Sequence, residues 1–525
     1  MSIRLAYTPT VLSPFSMKQL LLIFLLCAVS RFAAAQPCAF NLTSQTQVNN
    51  VAASGCTTAL SLTIYGGSNA STDPDKIVDL TPLSGITAVL GGVYVSVSDL
   101  TSLQGLANIR TIGGNFSISS ATTNPNLGIN SFQSLESVGG DLAILDCPRL
   151  TAIAGFPLLR SARTVTITRN PLLGGINGFN ALQSTSLFFI SQCAALRSIN
   201  GFANLSTLVG PNSREPSQFS ISNNPALEEI IGFGSLSSVD YFSITFNNTL
   251  QRLAAFNNLR NVTSMIVQDC NRLTTLAGFN GGLQANTCIV ARNSLLQDIP
   301  GFSGLRVQQL NVNNNPVLLN VTGFNNSTSE VVNIDTNPGL TVISGFRSAA
   351  FTNYISVQNN TQLDSIAGFR GASSPTIIYI RNNPRLRGIE RGFAFGFYAP
   401  LTSLYIQNNP LLAACAQPWI CSYLRRNGSA FIDNNAAGCT PAAILQSCQP
   451  LAIQAPGVEP AQAYPNPVMD VLHLPSSTTY TVRDLLGRVK LQGQGAQILM
   501  GDLPTGIYLV ETSQKVHQQL RIIKQ

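Results

Sequence analysis

The sequence predicts a mainly β chain: a right-handed parallel β-solenoid with short helical caps and a small second β domain at the C-terminus. Three observations carry this. A Gly-Phe pair recurs from Gly155-Phe156 and Gly178-Phe179 to Gly368-Phe369 and Gly392-Phe393. A polar rung follows each short β-branched run, at Asn124, Cys147, Asn170, Cys193, Asn224, Asn247, Cys270, Asn293, Asn315, Asn337, Asn360, Asn383, Asn409 and Asn435, mostly 22 or 23 residues apart. Cysteines stand in even-numbered groups at both ends of the repeat.

The 525 residues are 45% hydrophobic and only 10% charged, with a formal charge of +7, against roughly 25% charged residues in an average soluble domain. The aliphatic content excludes a disordered chain, and no run of like charges suggests a nucleic-acid partner. The two histidines, His473 and His517, lie near the C-terminus, which argues against histidine catalysis or histidine-held metal in most of the chain. No cofactor is expected.

Residues 1–35 read as a secretory signal peptide. Lys18 precedes a short apolar run, and Ala33-Ala34-Ala35 offers a small-residue cleavage site before Gln36. The run is shorter than the ~20 residues of a membrane span. Met17 is an alternative start, and Leu26 before Cys27 argues against a lipoprotein site. Cleavage removes Arg4, Lys18 and Arg31 without an acid, leaving the mature chain near +4. That chain is expected to be exported with no membrane span.

Residues 36–80 are assigned to an N-terminal cap and first coil. The stretch 43–53 is a short helix tied by a Cys38–Cys56 disulfide, as export into an oxidising compartment allows. The solenoid proper is assigned to 81–410. A period of this length with an Asn/Cys rung is the mark of a leucine-rich-type solenoid, because one coil cannot bury its apolar side alone and stacked coils share a core. Phe219-Ser220-Ile221, Phe242-Ser243-Ile244 and Leu404-Tyr405-Ile406 alternate in-out-in, and each inward Asn is placed to bond backbone in its own and neighbouring coils. Cys147, Cys193 and Cys270 take the rung position and Cys288 an inward strand position, so all four read as buried, reduced thiols. Residues 411–449 form the second cap, with helices beginning at Pro418 and Pro441. Its Cys415, Cys421, Cys439 and Cys448 allow three pairings, of which Cys415–Cys439 with Cys421–Cys448 is favoured. Residues 450–460 read as a linker.

The repeat, with its aliphatic strand, Asn-Asn-Pro-x-Leu and Ile-x-Gly-Phe, resembles the receptor L-domain and related leucine-rich repeats over roughly 38–449. At the C-terminus, Tyr464-Pro465-Asn466-Pro467-Val468, Val482-Arg483-Asp484 through Gly487, Leu503-Pro504-Thr505-Gly506-Ile507-Tyr508-Leu509-Val510 and the terminal Arg521-Ile522-Ile523-Lys524-Gln525 follow in an order and spacing by which residues 461–525 resemble a type IX secretion sorting domain. This resemblance implies a small Ig-like β-sandwich, the type IX secretion machinery as a partner, and an address outside a Gram-negative outer membrane.

Outward strand positions are small and polar early in the repeat (Ser117, Ser119, Thr166, Thr168, Ser220, Ser222) and become Asp335, Gln358, Tyr379, Arg381, Tyr405 and Gln407 later. Neighbouring coils should set Tyr379 beside Tyr405, an arrangement suited to a sugar ring or peptide. Two further departures are a polar insertion at 210–217 and a Phe-rich stretch at 393–398, read as a loop and as a binding lip or filler. Asp73, Asp75 and Asp79 lack calcium-loop spacing. The expectation is a secreted or cell-surface, non-catalytic solenoid for adhesion or recognition of an extracellular glycan or protein. The alternatives are a polysaccharide-lyase-like β-helix enzyme and a structural surface-layer component.

Overall fold

The computed structural model describes residues 38–448 and 463–525, apart from 67–72, 98–99, 101, 120–126, 211, 213, 254, 371–374, 390–392, 394–400, 464 and 514–516. The signal segment with Ala35 and Gln36, the rung at Asn124, the 450–460 linker and Tyr464 therefore lie outside the described residues. Among those that are described, no helix is long and apolar enough to cross a membrane.

One principal strand per coil forms a parallel sheet: β1 (Cys38–Leu42), β2 (Thr58–Tyr65), β3 (Val93–Ser96), β4 (Phe116–Ser119), β5 (Asp141–Leu145), β6 (Thr164–Thr168), β7 (Leu187–Ser191) and β8 (Gln218–Ser222). It continues through β9 (Tyr241–Thr245), β10 (Ser264–Gln268), β11 (Gln284–Ala291), β12 (Arg306–Asn313), β13 (Thr328–Asp335), β14 (Ala350–Gln358), β15 (Ile377–Arg381), β16 (Ser403–Gln407) and β17 (Ser429–Asp433). Each pairs with the next, giving a parallel β-solenoid of about 16 turns. Two-residue strands such as Gly175–Ile176 with Ser198–Ile199 and Ser184–Thr185 with Thr207–Leu208 make further parallel ladders on other sides of the coil. Register is strict because the core fixes it. Ile144, Ile167 and Ile190 stand opposite one another and are fully buried, and a one-residue slip would turn them out to solvent.

The rung works as the spacing suggests. Asn337 Oδ1 accepts the backbone N–H of Asn315 at 3.0 Å, while its Nδ2 donates to the Val312 carbonyl of the preceding coil at 2.9 Å. The same pair of bonds recurs at Asn293, Asn315, Asn360, Asn383 and Asn409. At Cys193 the thiol points to the Ile167 and Ser191 carbonyls, and the backbone N–H donates to Asn224 Oδ1. Cysteine thus fills a rung without supplying an amide oxygen to the coil before it.

From Asp146 onward, most coils turn on two left-handed residues. One immediately precedes the rung, with φ between 52° and 57° from Asp146 through Asn434, and includes Arg169, Phe246 and Thr336. The other is the Phe of the Gly-Phe pair, with φ from 56° to 66°. Such a conformation costs an ordinary residue roughly 1–2 kcal/mol. These phenylalanines recover it by stacking: Phe156, Phe179, Phe202, Phe233, Phe279, Phe302, Phe324, Phe346, Phe369 and Phe393, with Phe256, which follows Ala255 and is not left-handed, form one continuous buried column with centroid steps of 4.6 to 5.8 Å.

Helix α1 (Gln45–Ala53) follows β1 and buries Val48 and Val51. It starts after Ser44, whose hydroxyl accepts the Gln47 N–H, and not at Thr43. At the other end α2 (Pro418–Arg425) and α3 (Pro441–Ser447) each carry proline in the first turn. All three favoured disulfides are present, Cys38–Cys56, Cys415–Cys439 and Cys421–Cys448. Between the last two caps β17 adds one more coil to the sheet.

Residues 449–525 are a separate compact unit. Strands β18 (Val471–Asp484), β19 (Val489–Leu499), β20 (Gly506–Ser513) and β21 (His517–Lys524) form one antiparallel sheet in the order β19-β18-β20-β21. The small C-terminal β domain expected from sequence is present as this antiparallel sheet. Val468, Leu472, Val482, Ile498, Met500, Val510 and Ile522 form its own small core.

Candidate ligand-binding surface

Strands Ile377–Arg381 (IIYIR) and Ser403–Gln407 (SLYIQ) bury Ile378, Ile380, Leu404 and Ile406. Their alternate side chains therefore stand on the outer face. Register sets these in rows across coils. One row is Asp335, Gln358, Arg381, Gln407 and Asp433; the next is Asn333, Ser356, Tyr379, Tyr405 and Phe431.

All six residues proposed from sequence fall in these two rows. Tyr379 and Tyr405 stack at 4.9 Å and 16°, and Phe431 extends the stack at 4.8 Å and 4°. Tyr354 meets Tyr379 edge-on at 5.9 Å. The Arg381 guanidinium lies 4.9 Å from the Tyr379 centroid and 4.5 Å from that of Tyr405, an arrangement worth ~0.5–1 kcal/mol or more where water is displaced. Its Nε is buried with no hydrogen-bond partner.

The polar members are tied down. Gln407 Nε2 donates to Asp433 Oδ2 at 2.7 Å, and Gln358 Nε2 to Ser356 Oγ at 2.6 Å. Asp335 Oδ1 accepts from Asn359 Nδ2 at 2.7 Å. From there the left-handed turn residues build an outer amide ladder, Asn382 to Asn359, Asn408 to Asn382 and Asn434 to Asn408, each at 2.9 Å. The sequence reading missed Phe431, Tyr354 and this ladder. Phe431 stands 26 residues after Tyr405, the same step that separates Tyr379 from Tyr405, so counting one coil further would have found it.

Each stacked ring covers much of its neighbour's face. The surface therefore offers ring edges, phenolic hydroxyls, a guanidinium spread over aromatic carbon, and one open ring face at Phe431, which is 47% exposed. These groups suit non-covalent recognition by hydrogen bonds and ring contact. Among the described residues no group of three or more His, Cys, Asp or Glu is placed to hold a metal ion.

The other departures resolve into structure. Phe393 is buried as the last ring of the core column, so it fills the coil, while 394–398 lie outside the described residues. Within the 210–217 insertion Asn212 Oδ1 accepts the N–H groups of Arg214 and Glu215, forming a turn. Asp75 Oδ1 accepts from the Thr46 N–H and hydroxyl, and Asp79 Oδ1 from those of Thr81, so both are spent on the cap. The free thiols are buried. Burial pushes Cys193 up to about 11 and Cys270 and Cys288 up to about 12, which leaves no reactive thiolate at neutral pH.

The described motif residues of the C-terminal unit hold its sheet together. Asn466, joined to Pro467 by a cis peptide and preceded by Pro465, accepts the Ile523 N–H and donates to the Arg521 carbonyl. Gly487 turns β18 into β19 at φ 80°, Gly506 opens β20, and the buried Tyr508 donates to the Pro504 carbonyl.

No known family model matches the chain, and no curated protein is similar enough to it to count as a relative.

Proposed function

We propose that this chain is an exported, non-catalytic recognition protein, carried to the outer surface by the type IX secretion machinery. On this reading the C-terminal coils bind an extracellular glycan or protein. The observation that carries it is the outward stack of Tyr379, Tyr405 and Phe431 with Arg381 lying across the two tyrosines. Export is supported by the three disulfides that staple the caps and by the resemblance of residues 461–525 to a sorting domain.

The test is binding of the full chain to glycan and extracellular-protein panels, followed by Tyr379→Ala with Tyr405→Ala. Both side chains lie on the outer face, so the coil should stay folded. Losing two aromatic contacts of about 1 kcal/mol each weakens binding about thirtyfold. Undiminished binding by the folded double variant removes this surface from the proposal.

A further inference from the structure

We infer that a groove along another side of the solenoid is a second site, shaped for a linear neutral polysaccharide lying parallel to the solenoid axis. The groove encloses about 570 Å³ and crosses six consecutive coils, from 238–240 to 350–352. At about 4.8 Å per strand this is a run of about 24 Å. It arises where pairing is interrupted. Ala285 pairs with Val307 and Thr287 with Gln309, but Asn286 and Gln308 between them are unpaired, and the same gap recurs at Glu330. The gap falls at the same strand position in three successive coils.

Two exposed rows, Gln284, Arg306 and Thr328 on one side and Asn286, Gln308 and Glu330 on the other, flank the buried row Ala285, Val307 and Ser329. Elsewhere exposed side chains bond from coil to coil, as in Asp146 with Arg169 and Asn382 with Asn359. Among the described residues, these six flanking side chains make no such bond or ion pair. The Ser329 hydroxyl, buried in the groove lining, has no partner.

This unspent capacity is mixed in kind: each coil along the groove offers at least one carboxamide or hydroxyl. Sugar hydroxyls, which both donate and accept, match it at each coil. The lining carries one cation, Arg306, and two anions, Glu330 and Asp240, the latter accepting from Ser217, so the field favours neither a polyanion nor nucleic acid. An extended peptide laid here would run across the strands and could not add to the sheet edge. The inference uses no residue of the aromatic face.

The test titrates the full chain with cello-, xylo- and manno-oligosaccharides from disaccharide to hexasaccharide, with polygalacturonate as the acidic comparison. Affinity for one neutral series should rise with length up to the hexasaccharide. Asn286→Ala with Gln308→Ala should then weaken binding about tenfold at an unchanged unfolding midpoint, as loss of two surface hydrogen bonds implies. Absence of binding across all three neutral series, binding independent of length, or tighter binding of polygalacturonate would overturn the groove. So would binding that survives Asn286→Ala/Gln308→Ala and is lost in Tyr379→Ala/Tyr405→Ala, which would put the glycan on the aromatic face. Loss confined to the groove variant supports the groove and leaves the aromatic face to its own experiment.

Discussion

A single rung carries more than one coil. Asn337 holds the backbone N–H of Asn315 and the Val312 carbonyl with one buried side chain, so Asn337→Ala leaves both without a partner. The expected loss is about 3 kcal/mol, read as a lowered denaturation midpoint. Cys270 is the opposite case. The backbone N–H of its neighbour Asn247 finds a sulfur in place of an amide oxygen, while the Asn247 side chain keeps the Ile221 carbonyl, and the thiol reaches the Ile244 carbonyl at 3.7 Å. Cys270→Asn should extend the ladder and raise stability by about 1 kcal/mol. The same cysteines make the fold sensitive to alkali. Burial lifts the Cys193 thiol to about 11 and those of Cys270 and Cys288 to about 12, from an unfolded value of 9.0. A raised folded pKa contributes stability that is complete below pH 9 and declines as pH rises towards 11 and 12. Denaturation midpoints should fall over that window, and fall less in Cys270→Asn.

At the scale of the coil, the Gly-Phe pair separates two requirements. Phe adopts the left-handed turn and joins the ring column; Gly lets one coil rest on the next. A Cβ at Gly323 would sit 2.2 Å from the Gly301 carbonyl oxygen and 2.5 Å from that of Ile299, both backbone atoms that cannot move aside. Gly323→Ala should therefore cost about 3 kcal/mol, whereas Gly388→Ala, with open space around its Cβ, should be neutral or slightly stabilising. Thermal unfolding of the two variants side by side distinguishes a packing role from a general loss of flexibility. The pair was visible in the sequence as a marker, but its meaning was not, because left-handed Phe, Arg and Thr are set by the coil and not by their own preferences. Tyr379 beside Tyr405 was legible for a plain reason: period-2 alternation and a repeat length fix both the face and the neighbour. The pairing gap at Asn286, Gln308 and Glu330 leaves no such trace, since it depends on which backbone pairs are skipped between coils. Nor did the repeat pattern show that the left-handed asparagines 359, 382, 408 and 434 bond one another outside the turn.

For the whole solenoid, stability is nearly one-dimensional: each coil rests on its neighbours, and only the ends lack one. At the C-terminal end β17 pairs with β16 alone within the principal sheet. Phe431 is the open end of the outer stack. A strand with one side unpaired is a template for another chain, so what covers it decides whether molecules remain separate. Helices α2 and α3 bracket it in the chain and have little core of their own, burying chiefly Ile420, Leu424 and Ile444, and two disulfides closing 24 and 27 residues hold them. Loops of that size contribute about 3 kcal/mol each, more than those few apolar contacts supply once the ordering of two short helices is counted. Replacing Cys415, Cys421, Cys439 and Cys448 with alanine should release the cap while leaving the interior coils intact. The far-ultraviolet β signal should persist, and sedimentation should show concentration-dependent end-to-end association. A variant that stays monomeric at high concentration would show that the turns of the last coil, and not the stapled helices, protect the edge.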